Sequence, residues 1–209
     1  MENNTLTIAI DVDGVLRDNL GEMVNLYNKE FKDNKKIEDI TEFKTEVSFP
    51  RILEQSGITS SQWFFQDHSK ELFVDAKPFA SAAEDIKKLQ KYGKVIIVTY
   101  QKSYLNKHQT LEWLEKNGIE PDGVCFLRDK TQLHADIFVD DNDWNFIGCN
   151  CTKGVLITAP YNKKIDVSEL AKKSNCVSIE RYESFHAYVN DFCNLMEHTE
   201  STKQISWFA

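Results

Sequence analysis

Short apolar, β-branched runs recur along the chain. Thr5-Leu6-Thr7-Ile8-Ala9-Ile10 stops abruptly at Asp11-Val12-Asp13-Gly14, and similar runs lie at 94–99, 123–127, 136–140 and 154–158. Runs this short, apolar throughout rather than alternating, predict strands covered on both faces. Between them the apolar spacing changes to three and four. Ala82, Ala83, Ile86 and Leu89 predict a helix over 80–91, and Leu111 and Leu114 predict one over 104–117 that stops at Asn117-Gly118. Strand, helix and strand at short intervals predict an α/β fold: a Rossmann-like parallel sheet with crossover helices.

Residues 15–75 break this rhythm. Met23, Leu26, Tyr27 and Phe31 predict a helix over 22–31, followed by the charged stretch 32–36 and an aromatic-rich segment with Phe43, Phe49, Trp63, Phe64, Phe65 and Phe73. A small helical insert after the first strand is the economical reading, its aromatics serving chiefly as its own core and secondarily as the wall of a ligand pocket. Beyond Pro160 the pattern predicts a strand at 176–179 and a helix at 184–197. The expected organisation is thus an α/β core of 1–16 and 76–197, a helical insert of 17–75 and a loosely held tail of 198–209.

With 209 residues, 41% of them hydrophobic and 28% charged, the chain has the composition of a globular protein rather than of a membrane bundle. The net charge of -8 disfavours long nucleic acid as a partner but leaves small anions open, because one lysine and one metal ion reverse the field locally. The polar start of the chain offers no apolar run for a secretory signal or membrane span, so a cytoplasmic location is expected. Five scattered cysteines are expected as free thiols, and the Cys149-x-Cys151 pair has no second pair at zinc-like spacing.

The candidate chemistry sits at strand ends. Asp11 and Asp13 follow the first strand, and a two-residue spacing would turn both carboxylates one way, with Gly14 letting main-chain N–H groups approach an anion. Alone, an Asp-x-Asp-Gly string is more often a polar turn. Three other positions change that reading: Thr99 offers a hydroxyl to phosphate oxygens, Lys130 a positive charge, and Asp140-Asp141 the hard oxygens that magnesium prefers. Carboxylates about 4 Å apart repel by roughly 4 kcal/mol at an effective dielectric of 20. Asp11, Asp13, Asp140 and Asp141 gathered together therefore need Lys130 and a divalent cation.

In combination, Asp11-x-Asp13-Gly14-Val15-Leu16, Val98-Thr99, Lys130 and Asp140-Asp141 resemble the four motifs of haloacid dehalogenase-type phosphatases. The stretch from Leu127-Arg128-Asp129-Lys130-Thr131 to Asp140-Asp141, with Lys77-Pro78 and Tyr161-Asn162, is similar to the cytosolic and mitochondrial 5'(3')-deoxyribonucleotidases. The resemblance implies a magnesium-dependent phosphomonoesterase for nucleoside monophosphates. Asp11 would be nucleophile and Asp13 general acid and base; Asp11, the Asp13 backbone carbonyl and Asp141 would bind Mg2+, with Asp140 and Gly14 supporting. Thr99 and Lys130 would hold the phosphoryl oxygens, and the insert would be a cap with Phe73 as the candidate for base contact. Tyr100 and Asn142 depart from the family, which commonly has a small residue and an Arg there. Other readings are a phosphatase for a different small ester or a 3'-phosphorylated nucleic-acid end, and a non-catalytic phosphate-binding domain. The resemblance also admits a homodimer.

Overall fold

The computed structural model describes residues 6–205. Six strands, β1 (Leu6–Ile10), β2 (Gly93–Thr99), β3 (Gly123–Phe126), β4 (His134–Asp140), β5 (Asn150–Ile157) and β6 (Ser178–Tyr182), form one parallel sheet in the order β3-β2-β1-β4-β5-β6. The chain builds outward from β1 on one side and then returns to build outward from β4 on the other. The α/β, Rossmann-like expectation holds, and the order reverses between β1 and β4, where sheets of this kind place their ligands.

Alternation along the strands explains why both faces are covered. Ile8, Ile10, Ile137, Val139, Val155 and Ile157 share one face, packed with α5 (Ala82–Leu89), α6 (Tyr104–Lys116) and α8 (Phe185–Ile205), while Ala9, Phe138 and Leu156 point the other way. The second face is closed by Phe146, Leu170 of α7 (Val167–Lys173) and Cys176.

Between β1 and α5 lie α1 (Asn19–Phe31), the short helices α2 (Thr45–Ser48), α3 (Pro50–Ser56) and α4 (Ser60–Gln62), and two π turns, Trp63–Asp67 and Glu71–Asp75. They have a hydrophobic centre of their own, in which Tyr27, Phe49, Phe64 and Trp63 pack edge-on at 4.9–5.1 Å. This is the helical, aromatic-centred insert expected after the first strand.

Several boundaries differ from expectation for local reasons. α1 starts at Asn19, three residues early, because the Asp18 carboxylate caps it by accepting from Gly21 N at 2.9 Å. α7 was not anticipated; its start is set by Asp166, which accepts from Ser168 and Glu169 N–H groups. β6 begins at Ser178 rather than Cys176, in register with Lys153 of β5. α8 runs on to Ile205 through residues expected as loose tail, since no Gly or Pro stands there to stop it; residues 206–209 lie outside the described part. The expectation of free thiols is corrected for two of the five cysteines. Cys151 and Cys176, with Cα atoms 4.7 Å apart where β5 passes the approach to β6, form a disulfide, while Cys125, Cys149 and Cys193 are free. No helix among the described residues is long and apolar enough to cross a membrane.

Trp113 fastens α6 to the return from the insert: it is fully buried, and its indole N–H donates to the Ala76 carbonyl at 2.7 Å. Trp113→Ala is expected to cost about 3–5 kcal/mol and to lower Tm by about 10 °C, read by calorimetry or a denaturant titration.

Candidate active site

The site begins where β1 ends. Asp11 N–H extends the β1–β4 ladder by one bond to Val139 O at 2.9 Å, after which Leu16 and Arg17 N–H groups both turn back to the Val12 carbonyl. Gly14 occupies the left-handed region at φ 76°, and a Cβ there would fall onto the Asp141 carboxylate. Glycine is thus what lets the β1 loop and the end of β4 approach each other.

Lys130, only 3% exposed, lies beneath this junction. Its Nζ is 2.9 Å from Asp11 Oδ2 and 2.7 Å from Asp140 Oδ2. Asp140 is further held by Asn142 N–H at 2.8 Å and by Asn145 Nδ2 on both oxygens at 3.0 and 2.9 Å. Carboxylate oxygens of Asp11, Asp140 and Asp141 all lie within 4.8 Å of one another and are buried. Three acids thus face one ammonium group. Burial, helped by Asp140 and Asp13 and opposed by Lys130, pushes the Asp11 carboxyl up to about 7. Burial, then Asp140 and Asp11, also holds Asp141 well above the usual carboxylate range. Burial works against the Lys130 charge, but Asp11 and Asp140 outweigh it and raise the ammonium above the ordinary lysine value.

Asp140 is saturated by its four donor contacts, which leaves Asp11 and Asp141 with coordinating capacity to spare. Asp11 accepts Val12 N–H at 2.7 Å besides Lys130, and Asp141 accepts the Tyr161 hydroxyl. An all-oxygen, charge-deficient donor set of this kind fits a hard divalent cation. The second cluster of candidate metal ligands, Cys149, Cys151 and Cys176, has two of its sulfurs joined to each other.

Asp13 is placed differently from the expectation that it shares one orientation with Asp11. β1 has already ended at Ile10, so strand alternation no longer applies, and the Asp13 carboxylate turns to Arg17 Nε at 2.8 Å and Gln101 Nε2 at 2.9 Å. Thr99, 1% exposed, ends β2 on the same edge of the sheet. Phe73, the candidate for base contact, is buried with the Arg17 guanidinium 5.0 Å over its ring centroid, and it stacks at 6.1 Å on Phe65.

The insert instead presents a cavity of about 300 Å³ walled by Met23, Ile40, Phe43, Phe49, Phe65 and Tyr161. Tyr161 joins this cavity to the acidic cluster. Its ring meets Phe43 edge-on at 5.4 Å while its hydroxyl donates to Asp141, and burial followed by the Asp141 charge raises the phenol above its ordinary value. Asn162, fully buried, fixes the adjoining turn by donating to Asp141 O and Ile157 O, both at 2.7 Å. Arg17, Gln101 and Asn145 escaped the sequence reading. The one available signal was the arginine that directly follows the Gly14-Val15-Leu16 of the first motif.

With this geometry in hand, comparisons with known proteins point one way. Residues 4–192 match the family described as 5' nucleotidase, deoxy (pyrimidine), cytosolic type C. A Chlorobaculum tepidum protein, provisionally described as a 5'(3')-deoxyribonucleotidase, is 30% identical over 156 residues, covering 69% of this chain and 74% of its own length. Among solved structures, the L-2-haloacid dehalogenase of Xanthobacter autotrophicus with chloropropionic acid covalently bound aligns at TM-score 0.55 and 10% identity, over 92% of this chain and 98% of its own. A HAD-hydrolase of Bacillus subtilis bound to magnesium aligns at TM-score 0.52 and 14% identity, over 87% and 96%.

Two outcomes follow from the packing alone. Gly14→Ala is expected to destabilise the protein by about 2 kcal/mol, because a positive φ and the Asp141 carboxylate both oppose a methyl group; chemical denaturation measures it. Asp11→Asn is expected to stabilise the metal-free protein. With a folded-state pKa near 7 against 3.8 unfolded, Asp11 costs stability progressively as pH rises between those values, and the cost is complete above about 7. The variant's advantage in Tm should therefore be smallest at pH 4.5 and grow to about 8–16 °C by pH 8, on the order of 4 kcal/mol.

Proposed function

The chain belongs to the cytosolic type C family of deoxy-pyrimidine 5' nucleotidases, hydrolases of phosphoric monoesters, and on that premise we propose that it dephosphorylates nucleoside monophosphates, deoxyribonucleotides in preference, with Mg2+ in the cytoplasm. The observation that carries this reading is the buried cluster of Asp11, Asp140 and Asp141 around Lys130, beside a cavity with aromatic walls.

Each residue then has a task its surroundings suit. Asp11 attacks phosphorus through a carboxylate oxygen, the ester oxygen leaves, and an aspartyl-phosphate remains; water then displaces Asp11 and releases phosphate. Asp13 delivers the proton that the leaving alkoxide needs and later accepts one from the attacking water. Lys130 favours the ionised form of Asp11 against its burial and aims its oxygen, and with the Thr99 hydroxyl receives the phosphoryl oxygens. Asp11, Asp141 and the Asp13 backbone carbonyl would hold Mg2+, which supplies positive charge and Lewis acidity against an anionic ester. Asp140 anchors Lys130 rather than meeting substrate. Phe43 and Phe65 flank the cavity where a nucleobase would stack, and the insert acts as the cap that keeps water from the reaction.

A substrate panel with Mg2+ tests this: deoxy- and ribonucleoside 5'- and 3'-monophosphates, sugar phosphates and a 3'-phosphorylated oligonucleotide. Nucleoside monophosphates are expected to lead in kcat/KM by at least about tenfold, and Asp11→Asn to lower kcat by about 10³-fold or more. A sugar phosphate or the oligonucleotide leading the panel, or an undiminished Asp11→Asn, would overturn the reading.

A further inference from the structure

Arg17 is an arginine where the fold alone would accept an apolar residue. It is fully buried, and its guanidinium lies between the rings of Phe73 and Trp113, 5.0 Å from each centroid. Every arm of the fork is engaged. Nε reaches Asp13 Oδ1 at 2.8 Å, Nη1 the Phe73 carbonyl at 2.9 Å and Nη2 the Thr110 hydroxyl at 3.4 Å. Taking a guanidinium out of water is costly, and well-packed apolar side chains usually fill such a space at no loss of stability. Among the described residues the one ionic partner that this charge touches is Asp13.

Asp13 is gripped from both sides. Gln101, itself only 5% exposed, donates to Oδ2 at 2.9 Å, while Arg17 holds Oδ1, so the plane of the carboxyl is set. The same arginine sits at the junction of core and insert. It forms bridges to Asp13 and to Pro78, one on the outgoing and one on the returning passage of chain, and its other contacts are with the last turn of the insert at Phe73 and with α6 at Thr110 and Trp113. A displacement of the insert at Phe73 is thus carried by a rigid, planar group to the Asp13 carboxyl.

We propose that Arg17 is a positioning residue which, with Gln101, orients Asp13 for proton transfer to the leaving group and couples that orientation to the seating of the insert. The proposal rests on the reading of Asp13 as the proton carrier.

The experiment compares two leaving groups in the presence of Mg2+. Thymidine 5'-monophosphate expels an alkoxide that must be protonated, whereas 2,4-dinitrophenyl phosphate expels a stable phenolate that needs no proton. For Arg17→Lys, Arg17→Gln and Gln101→Leu, kcat on thymidine monophosphate is expected to fall about 10- to 100-fold, and by at least about tenfold more than kcat on the dinitrophenyl ester. Tm is followed in parallel, and Gln101→Leu, which leaves the buried guanidinium in place, carries the comparison if the Arg17 variants fail to fold. Equal losses on both esters in the folded variants, or no loss on either, would overturn the positioning role. A wild-type protein that turns over neither ester would remove the premise itself, and an intact dinitrophenyl activity with no thymidine monophosphate activity would displace the nucleotide reading while leaving the covalent chemistry standing.

Discussion

One ammonium group among three buried carboxylates sets the terms for everything around it. Lys130 neutralises part of the charge that Asp11, Asp140 and Asp141 bring to the carboxyl edge of the sheet, and the other described residues pair no second cation with these three acids. Burial amplifies both the attraction and the shortfall. Asp140 is tied down by Asn142 and Asn145 as well as Lys130, while burial raises the proton affinity of Asp11 and Asp141. A site in this condition takes up positive charge readily, whether as protons or as a hard cation, and that readiness is what a reaction on an anionic ester requires.

Around this centre stand two separate polar arrangements, each linking the insert to one acid. Tyr161 carries contact from Phe43 and the aromatic cavity to Asp141. Arg17 carries contact from Phe73 to Asp13. Their anchors differ in kind: Tyr161 stands on a turn fixed by Asn162, and Arg17 is wedged between two aromatic rings. Asp141 and Asp13 are therefore held through separate sets of contacts, although both sets reach the same inserted segment of chain.

Much of this was legible in the amino-acid order because parallel strands buried on both faces leave an unmistakable apolar signature, and because acids at strand ends fall on one edge of such a sheet. Asp11, Thr99, Asp140 and Asp141 are brought to that edge by the sheet itself, and Lys130 joins them from the loop before β4. What could not be read was set by contacts between distant residues. Asp13 lies past the end of β1, so its direction depends on Arg17 and Gln101 rather than on strand period. Phe73 and Phe43 look alike as isolated aromatics in a segment without strong periodicity, yet one is buried under a guanidinium and the other lines the cavity. Cys151 and Cys176 meet only because β5 and β6 are neighbours, a fact of topology that cysteine spacing does not encode.

The two passages between core and insert run side by side: Asp18 N–H reaches the Lys77 carbonyl at 2.9 Å, and Phe79 N–H reaches that of Leu16 at 2.8 Å. Seen from the sheet, the long excursion enters and leaves through a single narrow gate, so its length and content add little to the entropy of closing the strands together. Such a doorway makes the excursion exchangeable. A segment of different length and content can join at Asp18 and Lys77 while the register of the six strands and the acids at their ends stay untouched.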